Sequence, residues 1–176
     1  MGTPITASKQ LTRTRTAYWM VPTLTEATPT LAEVNSVSGL YVTGFLLSDQ
    51  STPTGESSKV ELPRLLMEAQ TSEVLDTQKV TVPDFRFLWD PQAAAGANDK
   101  KAWALLKAGY DGYLVQRLNK ATASSDLLVA NDFINWFKIQ SAPTVPTETS
   151  QDASGLYVFD AAISCTRWKF DVQVTS

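Results

Sequence analysis

Histidine is absent from this chain, and cysteine occurs once, at Cys165. Without histidine, no Ser-His-Asp or Cys-His relay can activate a nucleophile. A single cysteine cannot close a disulfide within the chain. One cysteine and no histidine do not make a zinc site from the usual donors. Cys165 sits in a run of alternating apolar residues, which suits a small buried hydrophobe better than a nucleophile. Neither G-x-x-x-x-G-K-[ST] nor G-x-G-x-x-G occurs. No apolar run reaches the length of a membrane span. The opening MGTPITASKQ lacks the apolar region of a secretory signal. Gly2 and Thr6 do fit M-G-x-x-x-[ST], but Pro4 falls inside the motif and nothing else suggests a lipid anchor. Asp126, Asp132, Asp152 and Asp160 have no spacing that specifies a catalytic pair. Asp49, Asp90, Asp99 and Asp111 stand beside turns or a helix start, where local capping accounts for them. The expectation is a non-enzymatic protein without cofactor or metal.

Charge is also scarce. Charged residues make up 19% of the 176, below the usual quarter. Serine, threonine and glutamine stand in their place, a surface common in extracellular or particle-borne β proteins. Net charge is −3, but unevenly spread. The first twenty residues carry Lys9, Arg13 and Arg15 and no acid, so the rest is distinctly acidic. An acidic body argues against ordinary nucleic-acid binding, which needs cations to replace phosphate counterions. The basic arm is either a solvated tail or a contact for an acidic neighbour.

What is present is a core. Hydrophobic residues reach 43% and aromatics 10%, enough for one folded domain of this length. Residues 1–16 read as an extended arm, and Tyr18–Val21 as a short strand or an anchor. Thr30-Leu31-Ala32-Glu33 fits a capping box opening a short helix that Gly39 stops. Leu40–Leu47 reads as a buried strand. Residues 48–58 are rich in Pro, Gly and Ser and read as a projecting loop, long beside the usual connection of about five residues. Lys59–Ala69 and Thr77–Trp89 read as two strands joined by Gln70–Asp76, with a bend at Pro83-Asp84. Asn98 and Asp99 can cap a helix bearing Ala102, Trp103, Leu106 and Tyr110, which ends at Gly109. Tyr113–Leu118 follows as a strand. Phe133, Phe137 and Ile139 alternate with Ile134 and Trp136, so both faces of that strand are apolar. Residues 141–154 form a second Pro- and Thr-rich loop. Tyr157, Phe159, Ala161 and Ile163 then share one face. Trp168, Phe170, Val172 and Val174 share one face, with a turn or bulge near Thr166-Arg167.

This pattern predicts a mainly β fold with one flanking α-helix. It is a β-sandwich or partial barrel forming a single domain over 1–176, with an N-terminal arm over 1–20 and projecting loops at 48–58 and 141–154. Trp103 and Leu106 pack the helix onto the sheets.

The segments FRFLWDPQ, KKAWALLKAGYDGYLVQRL, NDFINWFKIQSAPTVPTE and GLYVFDAAISCTRWKFDVQVT resemble the major tail proteins, or tail tube proteins, of long-tailed bacteriophages, especially those of actinobacteria. The resemblance covers about Asp84–Ser176. In one departure, Asn119 follows Arg117-Leu118 where the family pattern places a glycine soon after the arginine. The resemblance implies a virion protein of siphovirus type, assembled in the host cytoplasm. Six copies would form a ring, hairpins from all six would close a barrel around a channel, and stacked rings would pass genomic DNA. It implies a homo-oligomer with tape measure, tail terminator and distal tail proteins as partners, DNA only as transient cargo, and no membrane. Lys9, Arg13, Arg15 and Trp19 are then candidates for contacts between subunits or rings. Glu68, Glu73 and Asp76 are candidates for the channel lining, where like charge would keep DNA from sticking. Two alternatives stand beside this. One is a carbohydrate- or receptor-binding β module using Trp19, Trp136 or Trp168. The other is a tail terminator or connector forming a single ring.

Overall fold

A computed structural model describes residues 16–36, 38–46, 53–61, 73–90, 94, 96–118, 127–143 and 158–176. Within them the order is β1 (Ala17–Val21), α1 (Leu31–Val34), β2 (Leu40–Tyr41), β3 (Thr54–Glu61), β4 (Glu73–Thr81), β5 (Phe85–Leu88), α2 (Asn98–Lys107), β6 (Tyr110–Arg117), β7 (Phe133–Ser141), β8 (Val158–Ala161) and β9 (Ile163–Gln173). The fold is mainly β, with antiparallel sheets and α2 as the one substantial helix.

The organising element is a five-stranded sheet in the order β2-β1-β6-β7-β9. Both of its faces are apolar, as the two-sided pattern of Phe133–Gln140 predicts. Tyr18, Met20, Leu114, Phe137 and Ile139 point to one face. The antiparallel pair β5–β8, helix α2 and the end of β4 cover that face, contributing Phe85, Phe87, Phe159, Ala161, Leu106 and Val80. This is a sandwich core. Trp19, Val21, Val115, Ile134 and Trp136 point to the other face, which α1, Leu24, Leu128, Val172 and Val174 cover.

Helix α2 sits on the first face because Ala102 and Leu106 are fully buried there. Trp103 stacks on Trp89 (4.8 Å, 28°) and meets Phe159 edge-on (5.0 Å, 71°), tying the helix to the β5–β8 pair. Gly109, at φ 86°, ends the helix and lets the chain turn directly into β6. The expected cap differs. Ala97 occupies the N-cap with no side-chain bond, and the Asp99 carboxylate instead accepts from the Asp90 amide at 3.0 Å. Gly112 is required by close approach, because a Cβ there would meet the Tyr110 ring and the Val21 carbonyl at 2.8 Å.

The capping box of α1 is present: Thr30 Oγ1 accepts from Glu33 N, and Glu33 Oε2 accepts from Thr30 N at 2.8 Å. Thr25 donates to the same carboxylate through its amide and its hydroxyl. Partial burial raises the Glu33 pKa, but the hydrogen bonds that Thr25 and Thr30 donate to its carboxylate outweigh it and hold it below the ordinary 4.5. Glu33 therefore contributes its full stabilisation above pH 4.5 and loses it as pH falls through the lower folded value. Thr30→Ala should cost about 1 kcal/mol at pH 7. Glu33→Gln should flatten the acid limb of stability in denaturant titrations run between neutral pH and pH about 3.

Several expectations are corrected. Leu40–Leu47 is not one long strand. Only Leu40–Tyr41 pairs with β1, and the chain then folds into a turn closed by Phe45 N and Leu46 N on the Val42 carbonyl. Residue 47 lies outside the described residues. The loop at 48–58 is shorter, since Thr54–Ser58 belong to β3, where pairing with β4 overrides the loop-like composition. Strand β4 begins at Glu73, inside the segment read as a connection. Residues 17–20 are not arm but β1, a central strand of the sheet. The bulge near Thr166 is present, marked by a register shift opposite Lys138/Ile139. A second shift opposite Ile134/Trp136 was not expected. There Asp171 takes φ 55°, which reverses the alternation. Trp168 therefore packs on the first core while Val172 and Val174 pack on the second. Cys165 packs against the first core, half-buried, and burial raises its pKa. Residues 144–157, most of the second loop, lie outside the described residues.

Candidate self-assembly surface

A row of polar side chains crosses the central sheet. Gln116 Nε2 donates to the Tyr18 hydroxyl at 2.8 Å, and Asn135 Nδ2 donates to Gln116 Oε1 at 3.0 Å. The Asp171 amide donates to Asn135 Oδ1 at 3.0 Å. The row joins β1, β6, β7 and β9 and holds the bulge at Asp171 in place. On the opposite face Arg117 is 1% exposed, with its guanidinium 5.5 Å from the Trp19 ring centroid and 3.6 Å from Asp132 Oδ2. Asp132 also accepts from Val129 N, so the ion pair and the turn before β7 form together.

Further along that face, Glu26 forms a fork with Arg167 (3.0 and 3.2 Å) and accepts from the Tyr113 hydroxyl at 2.8 Å. Burial, and then the Glu26 carboxylate, push the Tyr113 pKa up. Trp136 Nε1 donates to the Glu26 carbonyl at 3.2 Å. Lys138 pairs with Asp111 and lies over the Tyr113 ring. Hydrogen bonds from Lys138 and Gln140 hold the Asp111 carboxyl below its usual range. A cleft of about 580 Å³ runs between Glu26-Ala27 and Thr166–Lys169. Among the described residues lining it, Glu26 is the carboxylate, and it is bound to Arg167 and Tyr113. Among the described residues no group of three or more His, Cys, Asp or Glu could hold a metal ion.

The β3–β4 hairpin is the exposed feature. It forms a sheet of two strands only. Residues 54–59 and 77–79 are all exposed, and the hairpin is anchored through Val80. Ser58 at its bulge bonds Thr77 Oγ1 at 2.6 Å. Among the described residues it pairs with no third strand, and a two-stranded ribbon gains little from its own burial.

The residues singled out in the sequence fall in different places. Trp19 is 2% exposed, inside the second core. Lys9, Arg13, Arg15 and Glu68 lie outside the described residues. Glu73 and Asp76 lie on β4 of the hairpin. Trp103 and Leu106 pack against the first core. Trp136 is also buried, at 3%, which removes it from sugar stacking. Sequence reading missed Arg117, because a lone arginine at the end of an apolar strand reads as solvated.

Residues 3–168 fit the family model described as phage tail tube protein. The chain belongs to the phage tail tube protein family. It is a structural subunit of the phage tail tube, and thus a component of the virion tail. The match extends the likeness of Asp84–Ser176 back across the first eighty residues. A search of curated proteins finds no match.

Proposed function

We propose that this tail tube subunit forms stacked hexameric rings in which the β3–β4 hairpins close a continuous barrel around the DNA channel. The exposed hairpin carries this reading. Closing it against the hairpins of neighbouring copies would satisfy its two open edges, which otherwise template uncontrolled pairing. Glu68, Glu73 and Asp76 remain the candidate channel-lining carboxylates, whose charge would repel passing phosphates. The basic arm with Lys9, Arg13 and Arg15 would meet the acidic body of an adjacent ring. The reading extends to the tape measure, tail terminator and distal tail proteins of a siphovirus as partners, to actinobacterial hosts, and to assembly in the host cytoplasm. No described helix is long and apolar enough to cross a membrane.

Lys59 and Lys79 are exposed on the hairpin and provide the test. Amine cross-linking of assembled protein should give a ladder ending at six chains. Lys59→Arg with Lys79→Arg should thin that ladder strongly. An unchanged ladder would remove the hairpins from the contact, and a ladder ending elsewhere would revise the stoichiometry.

A further inference from the structure

Little in the central sheet beyond its polar row fixes how the strands align. An apolar pattern sets register when one face is wet, because a one-residue slip then carries the apolar set into water. Here both faces are covered, so a slip exchanges one buried apolar set for another. A tight hairpin turn also sets register. Residues 118–132, however, separate β6 from β7, and residues 22–109 separate β1 from β6. The β7–β9 pairing already carries two register shifts.

The polar row does discriminate between alignments. Gln116 is registered with Tyr18 on one side and with Asn135 on the other. The Asp171 amide donates to Asn135, Asn135 to Gln116 and Gln116 to Tyr18, so each of the two side-chain amides both donates and accepts. Gln116 is 5% exposed and Tyr18 4%, so water is no ready substitute for either partner. Slipping β7 by one residue sets Gln116 opposite Ile134 or Trp136, and slipping it by two sets Gln116 opposite Phe133 or Phe137. All four are apolar, and a buried amide left without a partner carries its full desolvation cost.

We propose that the Tyr18–Gln116–Asn135 row selects the register of β1, β6 and β7, acting on which pairing forms more than on how tightly the sheet holds. Fixing register at little gain in stability is the best-attested use of a buried polar group. A two-residue slip displaces neighbouring strands by about 7 Å. Subunits in different registers would present different surfaces, and a tube of repeated copies needs one. The ion pair of Arg117 with Asp132 stands at the adjoining position on the other face, so the test removes it separately.

NMR of the dispersed full-length chain reads register directly, through cross-strand proton contacts between β6 and β7. The triple variant Gln116→Leu, Asn135→Leu, Arg117→Met should fold, with a melting temperature within about 5 °C of wild type. It should show a second set of β6 and β7 signals at roughly 1–10%. Amide exchange at Leu114 and Phe137 should be about tenfold faster or more. Arg117→Met alone keeps the row and should show one register. A single register in the triple variant would overturn the proposal. So would slipped signals in Arg117→Met alone, because the ion pair would then set the pairing. A triple variant that does not fold would overturn it too, because the row would then hold the sheet together instead of choosing its register.

Discussion

Phe87→Ala should lower the unfolding free energy by about 3–5 kcal/mol, measured by denaturant titration at neutral pH. Phe87 is fully buried where β5 meets β8 and α2. Its ring lies 5.1 Å from Phe159, 5.8 Å from Phe45 and 5.9 Å from Phe85. Leu46 bridges to it through the backbone. Truncation leaves a cavity lined by three rings that cannot all close in, so the transfer loss and the cavity cost add. The β5–β8 pair has only two strands and holds to the body through these side chains, so it should loosen first. Hydrogen exchange should accelerate in Phe85–Leu88 and Val158–Ala161 before β6 and β7 are affected. A loss below about 1 kcal/mol would mean that the small sheet is held by something other than this aromatic cluster.

The second large effect concerns Arg117 and Asp132. Asp132→Ala should cost about 3 kcal/mol, because it leaves a guanidinium buried under Trp19 without its carboxylate. The figure lies at the low end for a broken buried pair, since the Asp132 side chain keeps 13% exposure and stands 3.6 Å away. Arg117→Met should cost far less, because an apolar side chain of similar length fills the site and removes the buried charge. The contrast separates desolvation from packing: equal costs for the two variants would show that the arginine matters as a filler and not as a charge. Asp132→Ala also frees the Val129 amide, so the segment bearing Leu127 and Val129 should lose order with it.

The sequence made the local chemistry legible and left the pairing obscure. The Thr30–Glu33 box, the Gly109 stop and the two-faced alternation of Phe133–Gln140 depend on neighbours within a few residues, and each forms as read. The likeness of Asp84–Ser176 to tail tube proteins was carried by that same stretch. Strand β3 was missed at Thr54–Ser58 because its residues favour a loop, and only β4, some twenty residues on, makes them a strand. The face of Val172 was misread because a bulge leaves no mark in a strictly alternating run. Trp19 reads as a strand residue or an anchor; it is buried because Tyr41 and the Arg117 guanidinium, neither of them near it in the chain, pack on its ring within the second core. Arg117 had no signal at all: its burial depends on Trp19 and Asp132, distant in the chain from it and from each other.

The central claim is that an aromatic sandwich body carries the β3–β4 hairpin outward to build a channel with its copies. An electron cryomicroscopy reconstruction of the assembled tube tests this most directly. The account predicts the hairpins on the inner wall, joined edge to edge between subunits. Hairpins on the outer surface, or a lumen walled by the five-stranded sheet, would contradict it.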